Sequence, residues 1–257
     1  MNSSGKICIS TVLCWLTSLA MAVALYMVFI HAPEEKTMGV VQRIFYFHVS
    51  SAWIAFLAFF IVMIASIAYL RTQLVKWDIL AHASAEIGTL FCTLVLLTGP
   101  LWAKPVWNVW WTWDMRLTTT LVLWLMYVGY LMLRRHIEGA RGAKYAAVFG
   151  IVAFLDVPFV FFSIRWWRGM HPGHLVAPKS GGLEPAMFVT LLICLGTFLL
   201  LYLYLLQLRV ELALLELEVE KIYRSIDGHQ VKRGMLVENE NYIIEEYNVD
   251  YEMERKR

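Results

Sequence analysis

The chain has 257 residues, 60% of them hydrophobic and only 16% charged, with a formal net charge of +2 and a mean hydropathy of +0.60. Soluble domains carry about 25% charged residues, so this composition excludes an ordinary soluble domain and points to an all-α polytopic membrane protein. No nucleic-acid partner is expected; membrane lipid is.

Taken in order, six apolar runs are long enough to read as transmembrane helices: Ile7–Ile30, Val49–Leu70, Ala83–Leu101, Thr118–Leu133, Tyr145–Ile164 and Pro185–Leu208. The first has no strong basic start and no clean small-residue cleavage site, so it reads as a retained span rather than a removed signal. After it come a polar loop broken by Pro33 and an aromatic segment that brings His48 back toward the membrane. Thr98-Gly99-Pro100 is expected to break the third span. Asp156 and Pro158 lie in the fifth, where the proline should kink the helix. The loop of residues 165–182 is rich in Gly and Pro and should be irregular. The sixth span continues without a break signal into Glu211–Lys221, a helix expected to leave the membrane. Two regions result: residues 1–208, a six-helix membrane domain, and residues 209–257, a helical extension with a charged, partly disordered tail. Residues 1–208 hold 14 Lys/Arg and 8 Asp/Glu, against 8 and 12 in residues 209–257.

Six spans put both termini on one side. Basic residues in the short connecting segments divide evenly between the two sides, but the Arg134, Arg135, Arg141 and Lys144 cluster and the basic residues after Leu208 favour cytoplasmic termini. The loops after spans one, three and five then face outward.

Trp102–Leu117 holds five of the eleven tryptophans. At about 100° per residue on a helix, Trp107, Trp110, Trp111 and Asp114 share one face, Trp113 lies off its edge and Arg116 points elsewhere. Tryptophans collect at the interfaces of any membrane protein, but this density beside a carboxylate suits a large planar ligand better. Asp114 either orients that ligand's polar edge or pairs with Arg116. Four histidines fall on the same side: His31, His48, His171 and His174. Two neutral imidazoles on opposite sides of a plane suit six-coordinate haem iron, and Arg116, Arg165, Arg168 or Lys104 could meet the propionates. The four cysteines lie within spans with no Cys-x-x-Cys pair, which argues against a thiol relay and covalent haem attachment. No phosphate-binding loop or other catalytic motif occurs, so no enzyme activity is expected. Glu86 and Asp156, as intramembrane acids, open an alternative: a solute transporter or channel subunit that uses them as its pathway.

Trp107-Asn-Val-Trp-Trp-Thr-Trp-Asp114-Met-Arg-Leu-Thr118 resembles the tryptophan-rich WWD signature of the haem-handling family of cytochrome c biogenesis. Arg43-Ile-Phe-Tyr-Phe-His48-Val-Ser-Ser-Ala-Trp53 and Arg165-Trp-Trp-Arg-Gly-Met-His171 resemble that family's segments bearing axial histidines. The size, the six spans and the Met-Arg-Leu-Thr after the acid look most like its system I haem exporter protein C branch. This resemblance covers roughly residues 10–208. It implies haem b held non-covalently at the outer, periplasmic face of an inner membrane, bacterial or organellar. His48 and His171 would be the axial ligands, with Trp107, Trp110, Trp111, Trp113, Asp114 and Arg116 around the ring. It further implies handover to a membrane-anchored haem chaperone, beside a small single-span subunit and an ATP-binding-cassette pair.

Overall fold

In a bilayer every backbone polar group must be satisfied within the segment, and the apolar runs of this chain accordingly become helices. The computed structural model describes the backbone of residues 3–137, 139–167 and 183–255, and the side chains of 9–137, 139–163, 165–167, 183–223, 225 and 226. The helices are α1 (Ser3–Tyr26), α2 (Ile44–Thr72), α3 (Val75–Trp107), α4 (Met115–His136), α5 (Gly139–Phe154), α6 (Asp156–Trp166) and α7 (Pro185–Arg255). A π-helical turn, Met27–His31, extends α1, and a 3-10 turn, Val40–Arg43, leads into α2. Among the described residues there is no β-strand, and six helical segments are long and apolar enough to cross a membrane. They are Ile9–His31, Val40–Thr72, Val75–Trp107, Met115–His136, Gly139–Ser163 and Pro185–Tyr223, so each expected run has its helix.

Two prolines behave differently, for a physical reason. The break expected at Thr98-Gly99-Pro100 does not occur: α3 runs through Pro100 and Pro105 to Trp107. Membrane helices tolerate such prolines where neighbouring helices and side chains re-satisfy the freed backbone groups, and at Pro100 the preceding Gly99 brings no Cβ into the crowding. Pro158, by contrast, interrupts the fifth span. Its ring would meet the carbonyl four residues earlier, that of Phe154, where α5 ends.

Residues Met1–Val210 and Glu211–Arg257 separate into two compact units. In the first, α2 and α3 form the most extensive pairing. Gly88 lets them approach: a Cβ there would meet Phe59 at 2.7 Å. Ser84 Oγ donates to the Ala58 carbonyl at 2.8 Å and lies 2.8 Å from the Tyr202 hydroxyl, which ties α7 to the pair. Phe59 stacks on Tyr127 of α4 with ring centroids 3.6 Å apart and 11° between planes. Around these rings Ile54, Ala58, Val62, Phe91, Leu123 and Tyr202 complete a buried core. A second cluster, with Val28, Phe45, Tyr46, Trp102, Met187 and Leu191, seals α1, α2, α3 and α7 at the end where α2 begins and α3 finishes.

Candidate functional site

That end of the bundle holds His48 and the first tryptophans of the stretch singled out by sequence. His48 lies in the second turn of α2, 9% exposed, 6.1 Å from the Trp102 ring. Its Nδ1 is 2.8 Å from Thr98 Oγ1 on α3. The Thr98 hydroxyl has one proton, and that proton is donated to the Leu94 carbonyl at 2.6 Å. Thr98 Oγ1 therefore accepts from His48, and Nδ1 carries the hydrogen. In a neutral imidazole this leaves the lone pair on Nε2. A hydrogen bond of this kind, made by the far nitrogen, is what fixes tautomer and ring orientation in a ligating histidine. Thr98 was read in sequence only as part of a helix break, so its role as orienter was missed.

The tryptophan stretch is not one helical face. Asn108 stops α3 in the left-handed conformation, φ 58°, with its N–H on the Lys104 carbonyl at 2.9 Å. This is a C-terminal cap for which Asn is suited. Asp114 starts α4: its Oδ1 accepts from the Leu117 N–H at 3.0 Å and its Oδ2 from the Thr112 hydroxyl at 2.9 Å. Residues 108–114 between these caps are non-helical, so the expected wall of Trp107, Trp110, Trp111 and Asp114 on one helix does not form. Trp107 instead joins Trp102, with ring centroids 6.2 Å apart. Trp110 lies beneath the Lys104 ammonium at 6.0 Å, and Trp111 packs edge-on against Trp113 at 5.7 Å. Trp110 and Trp113 are 57% and 75% exposed. These two indoles are open to a ligand or partner, whereas Trp102 is buried.

Asp114 and Arg116 form no ion pair. The Arg116 guanidinium donates to the Phe161 carbonyl on α6 at 3.2 Å, so it joins the start of α4 to the end of the fifth span. Its Nε is buried without a hydrogen-bond partner, as are Trp102 Nε1 and Trp111 Nε1. In the 32–39 loop nearby, the backbone N–H of Met38, and then that of Thr37, hold the Glu35 carboxyl below the usual carboxylate range. His171, His174 and Arg168 lie outside the described residues, so their place relative to His48 is not part of this geometry.

Against that geometry, the family profile described as Heme exporter protein C matches residues 3–225. The chain belongs to the heme exporter protein C family. It is 35% identical over 196 residues to the heme exporter protein C of Bradyrhizobium diazoefficiens, covering 74% of each chain. It is 31% identical over 220 residues to that of Haemophilus influenzae, covering 84% of this chain and 89% of the relative. It is also 29% identical over 188 residues to a Marchantia polymorpha protein named for ccmC-like mitochondrial cytochrome c biosynthesis, covering 73% and 79%. The profile takes in α1 to α6 and α7 as far as Ser225, so the tryptophan stretch and His48 lie well inside the family region. The rest of the tail, residues 226–257, lies beyond the match.

The two intramembrane acids are disposed differently. Glu86 is held by Arg209 of α7 through two hydrogen bonds, 2.6 Å from Nε and 2.7 Å from the terminal nitrogen. His82 Nε2 lies 3.6 Å from the same carboxylate, and Asp78 pairs with Arg134 at 2.7 Å. This is a structural network joining α3 to α4 and α7. Asp156 stands at the break between α5 and α6 with Oδ2 buried and without a hydrogen-bond partner.

Proposed function

We propose that this chain is a haem transport and assembly factor rather than an enzyme. It binds haem b non-covalently at the tryptophan end and presents it to a membrane-anchored haem chaperone for cytochrome c biogenesis. Family membership supports the class of cargo. The observation that carries the site is the His48–Thr98 hydrogen bond, which fixes the orientation of the imidazole ring as in a ligating histidine. His48 and His171 are the axial ligands, and the exposed Trp110 and Trp113, with Trp107 and Trp111, offer indole surface to the porphyrin. The Arg116 guanidinium and the Lys104 ammonium supply positive charge for its propionates. In this reading the tryptophan end faces the periplasm or its organellar equivalent and both termini are cytoplasmic. A single-span subunit and an ATP-binding-cassette pair act with the chain. Glu86, committed to Arg209, is not left open as a solute pathway.

The test is the absorption spectrum of the detergent-purified protein. A low-spin Soret band is expected, and His48→Ala or His171→Ala should each abolish the low-spin form or most of the haem. Retention in both variants, with loss in His174→Ala, would reassign the ligand; no haem in any form would reject the reading.

A further inference from the structure

The helix that leaves the membrane carries a pattern that the haem reading does not use. Pro185–Leu208 is free of charged residues. At 1.5 Å per residue its 24 residues already exceed the roughly 30 Å hydrocarbon core. Glu211 and the residues after it therefore lie beyond the lipid. Yet the emerging helix is not polar all round. Leu212, Leu215, Val219, Ile222 and Ile226 follow one another at spacings of three and four, the a and d positions of a heptad repeat. In sequence the same register extends upstream through Leu201, Leu205 and Leu208. All five are between 43% and 58% exposed. Glu211, Glu216, Glu218, Glu220, Lys221 and Arg224, the charged residues between Glu211 and Ile226, all fall off the stripe. An apolar stripe sustained outside lipid marks an interaction surface.

The flanks identify what covers it. With Leu212, Val219 and Ile226 at a, and Leu215 and Ile222 at d, the g positions hold Glu211 and Glu218 and the nearest e position holds Glu216. Two copies inserted the same way in one membrane would pair in parallel, and each Glu211 would face the Glu216 of the other chain. Like charges at those positions oppose pairing. The bilayer surface is a poor occupant too, because helices that lie on it are rich in Lys and Arg on their polar face. We propose that the 212–226 stripe docks a partner helix with apolar a and d residues flanked by Lys or Arg, so that the basic side chains meet Glu211, Glu216 and Glu218. This inference does not depend on haem binding.

The test uses the full-length protein in phosphatidylcholine nanodiscs, which carry no net charge to attract a probe. Two labelled three-heptad peptides are compared by fluorescence anisotropy: one with Leu and Ile at a and d and Lys at e and g, the other identical except for Glu at e and g. The Lys peptide should bind at least about tenfold more tightly, with the difference shrinking as salt screens the flanks. Leu215→Asp with Ile222→Asp should abolish binding while leaving the haem spectrum unchanged. Because that variant could lose its helix, the stronger arm is Glu211→Lys with Glu216→Lys and Glu218→Lys. It keeps the stripe and should invert the preference toward the Glu peptide. Equal binding of both peptides, binding of neither, or no inversion overturns the proposal. Crosslinking of Val219→Cys into a dimer of this chain overturns it in favour of a second copy.

Discussion

Arg209 and Glu86 meet side-on, with two nitrogens of the guanidinium on the two oxygens of one carboxylate at 2.6 and 2.7 Å. The pair closes α7 against α3 where the uncharged part of the last span ends. Neither side chain is fully buried, with 41% and 30% exposed, so its contribution lies between that of a surface pair and a buried one. Arg209→Leu and Glu86→Leu should each lower stability by about 1–2 kcal/mol, since each strands a partly buried charge. Glu86→Leu with Arg209→Leu should recover most of that loss, because an apolar pair leaves no charge uncompensated. Thermal unfolding in detergent of both single variants and the double variant completes the cycle. A double variant as unstable as the sum of the singles would mean that the two residues are not coupled.

A second contact sets how closely α2 and α3 approach. Phe59 has little room to retreat from a Cβ at position 88, because its ring is stacked on Tyr127. Gly88→Ala should cost about 1–3 kcal/mol through overpacking, offset by up to about 1 kcal/mol of improved helix propensity. A melting temperature above that of the natural protein would show that the α2–α3 contact has room for a methyl group.

The six spans were legible in the sequence because a bilayer leaves helix as the only outcome for runs such as Val49–Leu70. Pro158 behaved as expected and Pro100 did not: Gly99 relieves part of the crowding at Pro100, but α3 also passes Pro105 behind Lys104, so the preceding residue alone does not say whether a membrane helix breaks. The tryptophan stretch misled for a related reason. Its spacing fits a helix, but Asn108 and Asp114, six residues apart within that pattern, are a stop and a start signal, and they outweigh it. The signals were there: Asn is favoured in the left-handed cap and Asp just before an apolar run is a strong helix start. The Thr98–His48 contact was not legible, because nothing in sequence says which turn of α3 faces which turn of α2.

That contact carries a prediction about haem. Thr98→Val keeps the shape but removes the acceptor that holds the His48 Nδ1–H. Loss of such outer-sphere orienters typically weakens metal binding about 10–100-fold. Haem affinity should fall toward the lower end of that range, with melting temperature nearly unchanged, and Thr98→Ser should restore it. A Thr98→Val protein with natural haem affinity would show that ring orientation does not depend on this hydrogen bond.

Orientation in the membrane is checked independently of haem. A periplasm-dependent reporter fused after residue 112 should be active, and one fused after residue 225 should not. The opposite pattern would place His48 and the tryptophans on the cytoplasmic side and overturn the proposed direction of handover.

Asp114 separates two roles that one substitution would confuse. Both its oxygens are used locally, one capping α4 at Leu117 N–H and one accepting from Thr112. Asn caps a helix about as well as Asp, so Asp114→Asn preserves the start of α4 while removing the charge. Asp114→Ala removes both and should cost about 1 kcal/mol of stability. If the carboxylate serves only as a cap, Asp114→Asn will match the natural protein in haem content and in co-purification with the haem chaperone, and only Asp114→Ala will differ. The proposed function predicts otherwise. The charge stands beside the exposed Trp113 and helps orient cargo and partner, so Asp114→Asn should retain haem on His48 and His171 yet recover less chaperone. Melting temperature, haem content and recovered chaperone, measured on the same preparations of both variants, distinguish the outcomes. Equal chaperone recovery from Asp114→Asn and the natural protein would reduce Asp114 to a helix cap.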